Sequence, residues 1–152
     1  HHAIALVLEL LACGNRGPDC LLAISPWLNL TPVSERPGDY MPPKIVKKFI
    51  DAAAHSESFL WPPQSFLSRL ADGQRWPPTL VAIGGAEAFR DEGRALAHAL
   101  KESPACDDCV LVEMPKGVHD FCYLPFFDAK PGDAVLGNDR IAAFVLRQCA
   151  RE

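Results

Sequence analysis

The sequence has no long hydrophobic run. A membrane-spanning helix needs about 20 consecutive apolar residues. The most apolar segment, residues 3–12 (AIALVLELLA), is too short and carries Glu9. Basic residues are not in excess either: 15 Lys and Arg stand against 19 Asp and Glu, a net charge of −4. No basic stripe with interleaved aromatics occurs, which argues against a nucleic-acid surface, because phosphate binding wants clustered cations. Gly-x-Gly-x-x-Gly and Walker patterns are missing, so no nucleotide cradle is expected. The adjacent Gly84 and Gly85 suit a tight strand-to-helix turn instead. The opening residues carry no basic leader, and no signal peptide is expected from them.

Cysteine is present but lacks a pairing pattern. Six residues, Cys13, Cys20, Cys106, Cys109, Cys122 and Cys149, include one close pair, CDDC. A structural zinc site needs four ligands, and two aspartates between the thiols raise their pKa, the wrong direction for a redox thiol. The cysteines are therefore expected in packing or at the surface. The compartment stays open, with a lean towards intracellular.

What is present fits one globular domain, residues 1–152, with 49% hydrophobic and 22% charged residues. Ile4, Leu8 and Leu11 recur at helical spacing over 3–12, and GNRGPD at 14–19 stops that helix. Short apolar runs at 20–25, 79–85 and 109–115 suit buried strands. Helices are expected over 42–54, with Ile45, Phe49 and Ala53 on one face, and over 88–103, with Leu96, Ala99 and Leu100. A last helix over 133–150 places Ile141, Phe144, Val145 and Gln148 together, with Asp133 as cap, and a short helical turn is expected within 65–72. Strands alternating with helices imply a parallel α/β sheet. The order is that of the back half of a doubly wound fold.

In open parallel sheets, sites form beyond the carboxyl ends of strands. Two polar turns fall there, IGGAEAFRDEG after the second strand and PKGVHDF after the third. A strand-end acid followed by a strand-end histidine is the acid-then-base order of α/β-hydrolases. The segments AISPWLNL, PPTLVAIGGAEAFRDEGRALAHAL and KGVHDF, in that order, resemble the carboxyl-terminal half of the hormone-sensitive-lipase-like esterases, the α/β-hydrolase fold-3 group. The family pattern is roughly Gly-x-Asp-x-Leu-Arg-Asp-Glu in the middle segment and Gly-x-x-His-x-Phe in the last.

The resemblance implies a serine-type hydrolase of small-molecule carboxylic esters, without metal or organic cofactor. It places the triad acid on Glu87, where the family more often has Asp, and the base on His119. Asp91 is the runner-up acid, although a first-turn acid also suits the helix dipole. His98, mid-helix, and His55, in a proline-rich stretch, are given no role. Phe121 and Tyr123 are expected in the core. Residues 39–70 lie where such enzymes place parts of the acyl or alcohol pocket. Trp27, Phe59, Leu60 and Trp61 are candidate pocket walls, with core packing the favoured role for each.

The family nucleophile is a serine in Gly-x-Ser-x-Gly on a sharp turn. None of Ser25, Ser34, Ser56, Ser58, Ser65, Ser68 and Ser103 has that setting, and no His-Gly-Gly-Gly run occurs. Ser25 is the nearest by position, but Pro26 after it has no N–H to serve as oxyanion donor. The stretch HHAIALVLELLA resembles the helix that follows the nucleophile turn. The elbow serine is then expected just upstream of His1, with the 152 residues inactive alone and dependent on the missing amino-terminal half. A tag remnant at His1–His2, and a non-catalytic module on the same scaffold, are the competing expectations. Amide or lactone preference cannot be separated from ester preference by the acid and base.

Overall fold

The second strand organises the molecule. The structure is a computed structural model and describes residues 2–29, 39, 41–53, 62–123 and 132–150. Strand β2 (Thr79–Gly84) is buried along its whole length. It pairs in parallel with β1 (Leu21–Ile24) on one side and β3 (Cys109–Met114) on the other. The register runs from Leu21 opposite Thr79 and from Thr79 opposite Cys109. A strand covered on both faces has no polar side to alternate with, which is why TLVAIG reads as a continuous apolar run.

Successive side chains of β2 point to opposite faces, and each face has its own core. Val81 and Ile83 pack with Ile4, Val7 and Leu11 of helix α1 (His2–Ala12). The same core takes Phe66 of α3 (Pro63–Leu67) and Leu96, Ala97 and Leu100 of α4 (Arg90–Glu102). Leu80 and Ala82 face the other way, onto Val112, Met114, Phe121 and Phe144, the last from α5 (Asp133–Cys149). Helix α2 (Pro43–Ala53) follows β1. Helices on both faces of a parallel sheet make the expected α/β architecture.

The expected elements are all present, with ends shifted by one or two residues. The exceptions have physical causes. The short turn expected within 65–72 forms earlier, at α3, because Pro63 supplies a fixed φ at the first helical position. In α2 the buried contact is Val46, while Ile45 is 42% exposed. Lys47 and Asp51 pair at 2.8 Å on the solvent face. Tyr123 was expected in the core and is 67% exposed, whereas Phe121 is fully buried. His98 lies exposed on α4. His55, Phe59, Leu60 and Trp61 lie outside the described residues.

Candidate active site

The acid turn and the base turn leave adjacent strands at the same sheet edge. β2 ends at Gly84, and Glu87 follows three residues later; β3 ends at Met114, and His119 follows five residues later. The two turns are stitched by backbone bonds, Gly85 N–H to Met114 O at 2.7 Å and Ala86 N–H to Gly117 O at 2.9 Å. Glycine is required at 84, because a Cβ there would overlap the carbonyl oxygens of Gly117 and Val118. The glycine pair read as a tight turn is thus also what lets the acid-bearing turn touch the base-bearing one.

Glu87 is fully buried, and its Oε2 lies 4.0 Å from Nδ1 of His119. Asp91 is elsewhere. It sits on the exposed face of α4, 3.0 Å from Arg90 Nε and 3.7 Å from Arg94 Nη1. Of the two candidate acids, the structure brings Glu87 to the histidine. The Nε2 of His119 lies 3.5 Å from Asp120 Oδ2. Phe89 meets the imidazole edge-on at 5.2 Å between ring centroids and stacks on Trp27 at 5.1 Å.

Two further side chains enter from the segment after β1. Ser25 Oγ donates to Glu87 Oε2 at 2.6 Å and accepts the Asp120 N–H at 2.9 Å. Asp39 accepts the N–H of Ala88 at 2.7 Å through Oδ2 and that of His119 at 3.3 Å through Oδ1. Each therefore bridges the acid turn and the base turn. Glu92, buried in the first turn of α4, accepts the N–H groups of Leu28 and Asn29 at 2.5 and 2.8 Å. That bond holds the chain after Trp27 against α4. Ser25 was visible in the sequence as a strand-end serine, but Asp39 and Glu92 carried no local signal.

The electrostatics follow from burial. Desolvation lifts the Glu87 carboxyl to about 8, against the opposing Ser25 hydroxyl and Gly84 backbone; the nearby Asp39 and Asp120 charges add to the rise. Burial lowers the pKa of His119, partly countered by the charges of Asp120 and Asp39. Both groups are thus pushed towards their neutral forms. The CDDC thiols are also dominated by burial, which pushes Cys109 up to about 12, with nearby acids a lesser cause. Among the described residues no group of His, Cys, Asp or Glu is placed to hold a metal ion.

A cavity of about 310 Å³ opens beside the imidazole, walled by Ile24, Pro26, Trp27, Met41 and Phe89 and bordered by the polar side chains of Ser25, His119 and Asp120. Trp27, expected chiefly as core, is a half-buried wall of this cavity. Two larger depressions, of about 530 and 560 Å³, both reach Gln74 and Arg75 ahead of β2. They lie at the opposite sheet end from the acid and base, and neither includes Glu87 or His119.

A parallel sheet with helices on both faces, and a carboxylate and an imidazole at its carboxyl edge, define an α/β-hydrolase scaffold. The chain belongs to the α/β-hydrolase fold family, whose model matches residues 2–123. No curated protein matches the chain. Solved structures share its fold. A hormone-sensitive lipase from a metagenome library superposes with a TM-score of 0.74 at 19% identity, over 95% of this chain and 49% of that one. Carboxyl esterase 2 of the mycorrhizal fungus Tuber melanosporum gives 0.69 at 14%, over 93% and 48%. A thermostable esterase from Pseudomonas putida gives 0.69 at 19%, over 90% and 44%. The chain thus spans about half the length of these structures.

Proposed function

We propose that the chain is the acid- and base-bearing half of a serine-type carboxylic ester hydrolase. Glu87 is the acid, His119 the base, and the nucleophilic serine comes from outside these 152 residues. The observation that carries this reading is the Glu87 Oε2 to His119 Nδ1 separation of 4.0 Å at the carboxyl edge of the sheet. A closure of about 1 Å brings the pair to hydrogen-bond distance. Glu87 would then fix the Nδ1–H tautomer, leaving Nε2 to take the serine proton. The imidazolium so formed passes that proton to the leaving alcohol as the acyl group moves to the serine. The hydrogen bond from Nδ1–H would also favour the charged carboxylate that burial now disfavours.

The largely apolar wall of Ile24, Pro26, Trp27, Met41 and Phe89 beside His119 supports small esters with an apolar acyl or alcohol part as the substrate class. Its volume, about 310 Å³, is at the small end for ligand pockets. Several of the structures the chain resembles are esterases, which agrees with this choice of bond. A non-catalytic module on the same scaffold is the second reading, favoured by the lack of any Gly-x-Ser-x-Gly in the sequence.

Hydrolysis of p-nitrophenyl acetate separates the two. The chain alone should be no faster than a control protein bearing a surface histidine. Joined to an amino-terminal half carrying the elbow serine, it should turn over, and His119→Ala should abolish that turnover. No turnover by the joined protein would overturn the hydrolytic reading, and full activity of its His119→Ala variant would overturn His119 as the base.

A further inference from the structure

We propose that Ser25 is a positioning residue for the acid–base pair, an inference that rests on the hydrolytic reading above. Its hydroxyl holds the Glu87 carboxylate towards His119 and locks the acid and base turns together. Both hydrogen-bonding capacities of the hydroxyl are used: the proton goes to Glu87 Oε2 at 2.6 Å, and the oxygen accepts from Asp120 N–H at 2.9 Å. The partners lie 62 and 95 residues away along the chain. One small side chain therefore spans three turns.

The backbone supports the assignment. Ser25 and Asp120 have φ of 43° and 54°, and they are the two non-glycine residues with positive φ among the described residues. Left-handed geometry costs an L-residue about 1–2 kcal/mol, and such residues concentrate where function over-determines the conformation. Glycine would relieve that cost at position 25 but has no hydroxyl. Ser25 is buried, its proton is directed to a carboxylate, and Pro26 follows it. These features suit a holder rather than a nucleophile.

The reaction needs such a holder because Glu87 is fully buried. The ionisable groups around it are the carboxylates of Asp39 and Asp120, the Cys122 thiol and the His119 imidazole. Charge on the first three disfavours charge on Glu87. Among the described residues, Ser25 gives the one side-chain hydrogen bond that Glu87 receives. A carboxylate oxygen can accept two donors, so Oε2 can keep the Ser25 bond and still take the Nδ1–H of His119.

The test is carbon-detected NMR on the full 152-residue chain, following the Glu87 carboxyl through a pH titration, with Glu87→Gln to assign its signal. Ser25→Gly keeps the left-handed backbone and removes the hydroxyl; Ser25→Ala is the second variant. In both, the Glu87 midpoint should move above its wild-type position, and the Asp120 amide should exchange with solvent at least tenfold faster. A role confined to the backbone predicts no movement in Ser25→Gly, and an unmoved midpoint with unchanged exchange overturns the proposal. The wild-type protein supplies a check that needs no variant. Its Ser25 hydroxyl proton should be resolved, slowly exchanging and close to Glu87, and its absence would equally overturn the proposal. The titration requires no ester turnover. If hydrolysis fails and the tether holds, the midpoint still moves; if the tether fails, it does not.

Discussion

Glu87 is a carboxylic acid kept where its charge is least welcome. Its pKa is raised from 4.5 to about 8, chiefly by burial. Between those two values the folded chain binds more protons than the unfolded chain, so stability falls as pH rises through that window. The slope is at most about 1.4 kcal/mol per pH unit. His119, whose pKa is lowered from 6.5 by burial, works in the opposite sense: its contribution is lost as pH falls below 6.5. Between pH 7 and 8 the Glu87 effect is the largest, with a smaller loss in the same direction from the buried thiols, whose pKa values are raised from 9.0. The urea midpoint should therefore drop from pH 7 to pH 8 in the wild type and stay nearly level in Glu87→Gln. An equal drop in both proteins would mean that Glu87 is not the group responsible.

Glu87 and His119 were legible in the sequence as the candidate pair because residue type, strand-end position and order along the chain all pointed to them, and the structure sets them 4.0 Å apart. The groups that hold them were not. Ser25, Asp39 and Glu92 act through hydrogen bonds to residues 49 to 95 positions away. No local period or motif encodes a partner at that distance. Asp39 lies in a stretch that offers only turn residues, and Glu92 sits in a helix first turn where an acid has an ordinary dipole explanation. Tyr123 and Ile45 misled for a related reason: apolar character does not say which face the chain will turn inwards.

At the level of elements, the central strand and its two glycines bring the chemistry together. The alternation of strands and helices was readable because each β2 residue is buried and helix α4 carries a clear apolar stripe of Leu96, Ala97 and Leu100. Element ends were less readable, since turns such as 85–89 are fixed by contact with a distant turn. Gly84→Ala tests that contact. The added methyl meets backbone carbonyls of Gly117 and Val118 rather than a flexible side chain, so the turns must separate. The expected loss is about 2 kcal/mol in urea denaturation, accompanied by changed amide shifts at 117–120. Unchanged stability would show that the two turns are not in tight contact at Gly84. Glu92→Ala leaves the Leu28 and Asn29 N–H groups without their acceptor. A loss of about 2–3 kcal/mol is expected, and a Glu92→Gln variant should recover part of it by keeping one acceptor oxygen.

For the whole molecule, the governing fact is that the chain spans about half of the solved structures it resembles. β1 and β3 are each paired only with β2 among the described residues. Leu6 of α1 is 60% exposed, and Val135, Leu136 and Leu146 of α5 are exposed as well. Unpaired edges and apolar helix faces favour association with another segment. The isolated chain is therefore expected to associate in a concentration-dependent manner, measured by sedimentation, and to become monodisperse when the complementary half is supplied. A sharp, cooperative melt of monomeric chain alone would contradict that expectation.

The central claim is that Glu87, and not Asp91, is the carboxylate that serves His119. Turnover of a p-nitrophenyl ester by the chain joined to its nucleophile-bearing half tests this most directly, comparing Glu87→Gln with Asp91→Asn. Loss of a triad acid costs about 10⁴-fold in kcat, and that is the result predicted for Glu87→Gln, with Asp91→Asn within about threefold of wild type. Loss of turnover in Asp91→Asn, with Glu87→Gln still active, would contradict it.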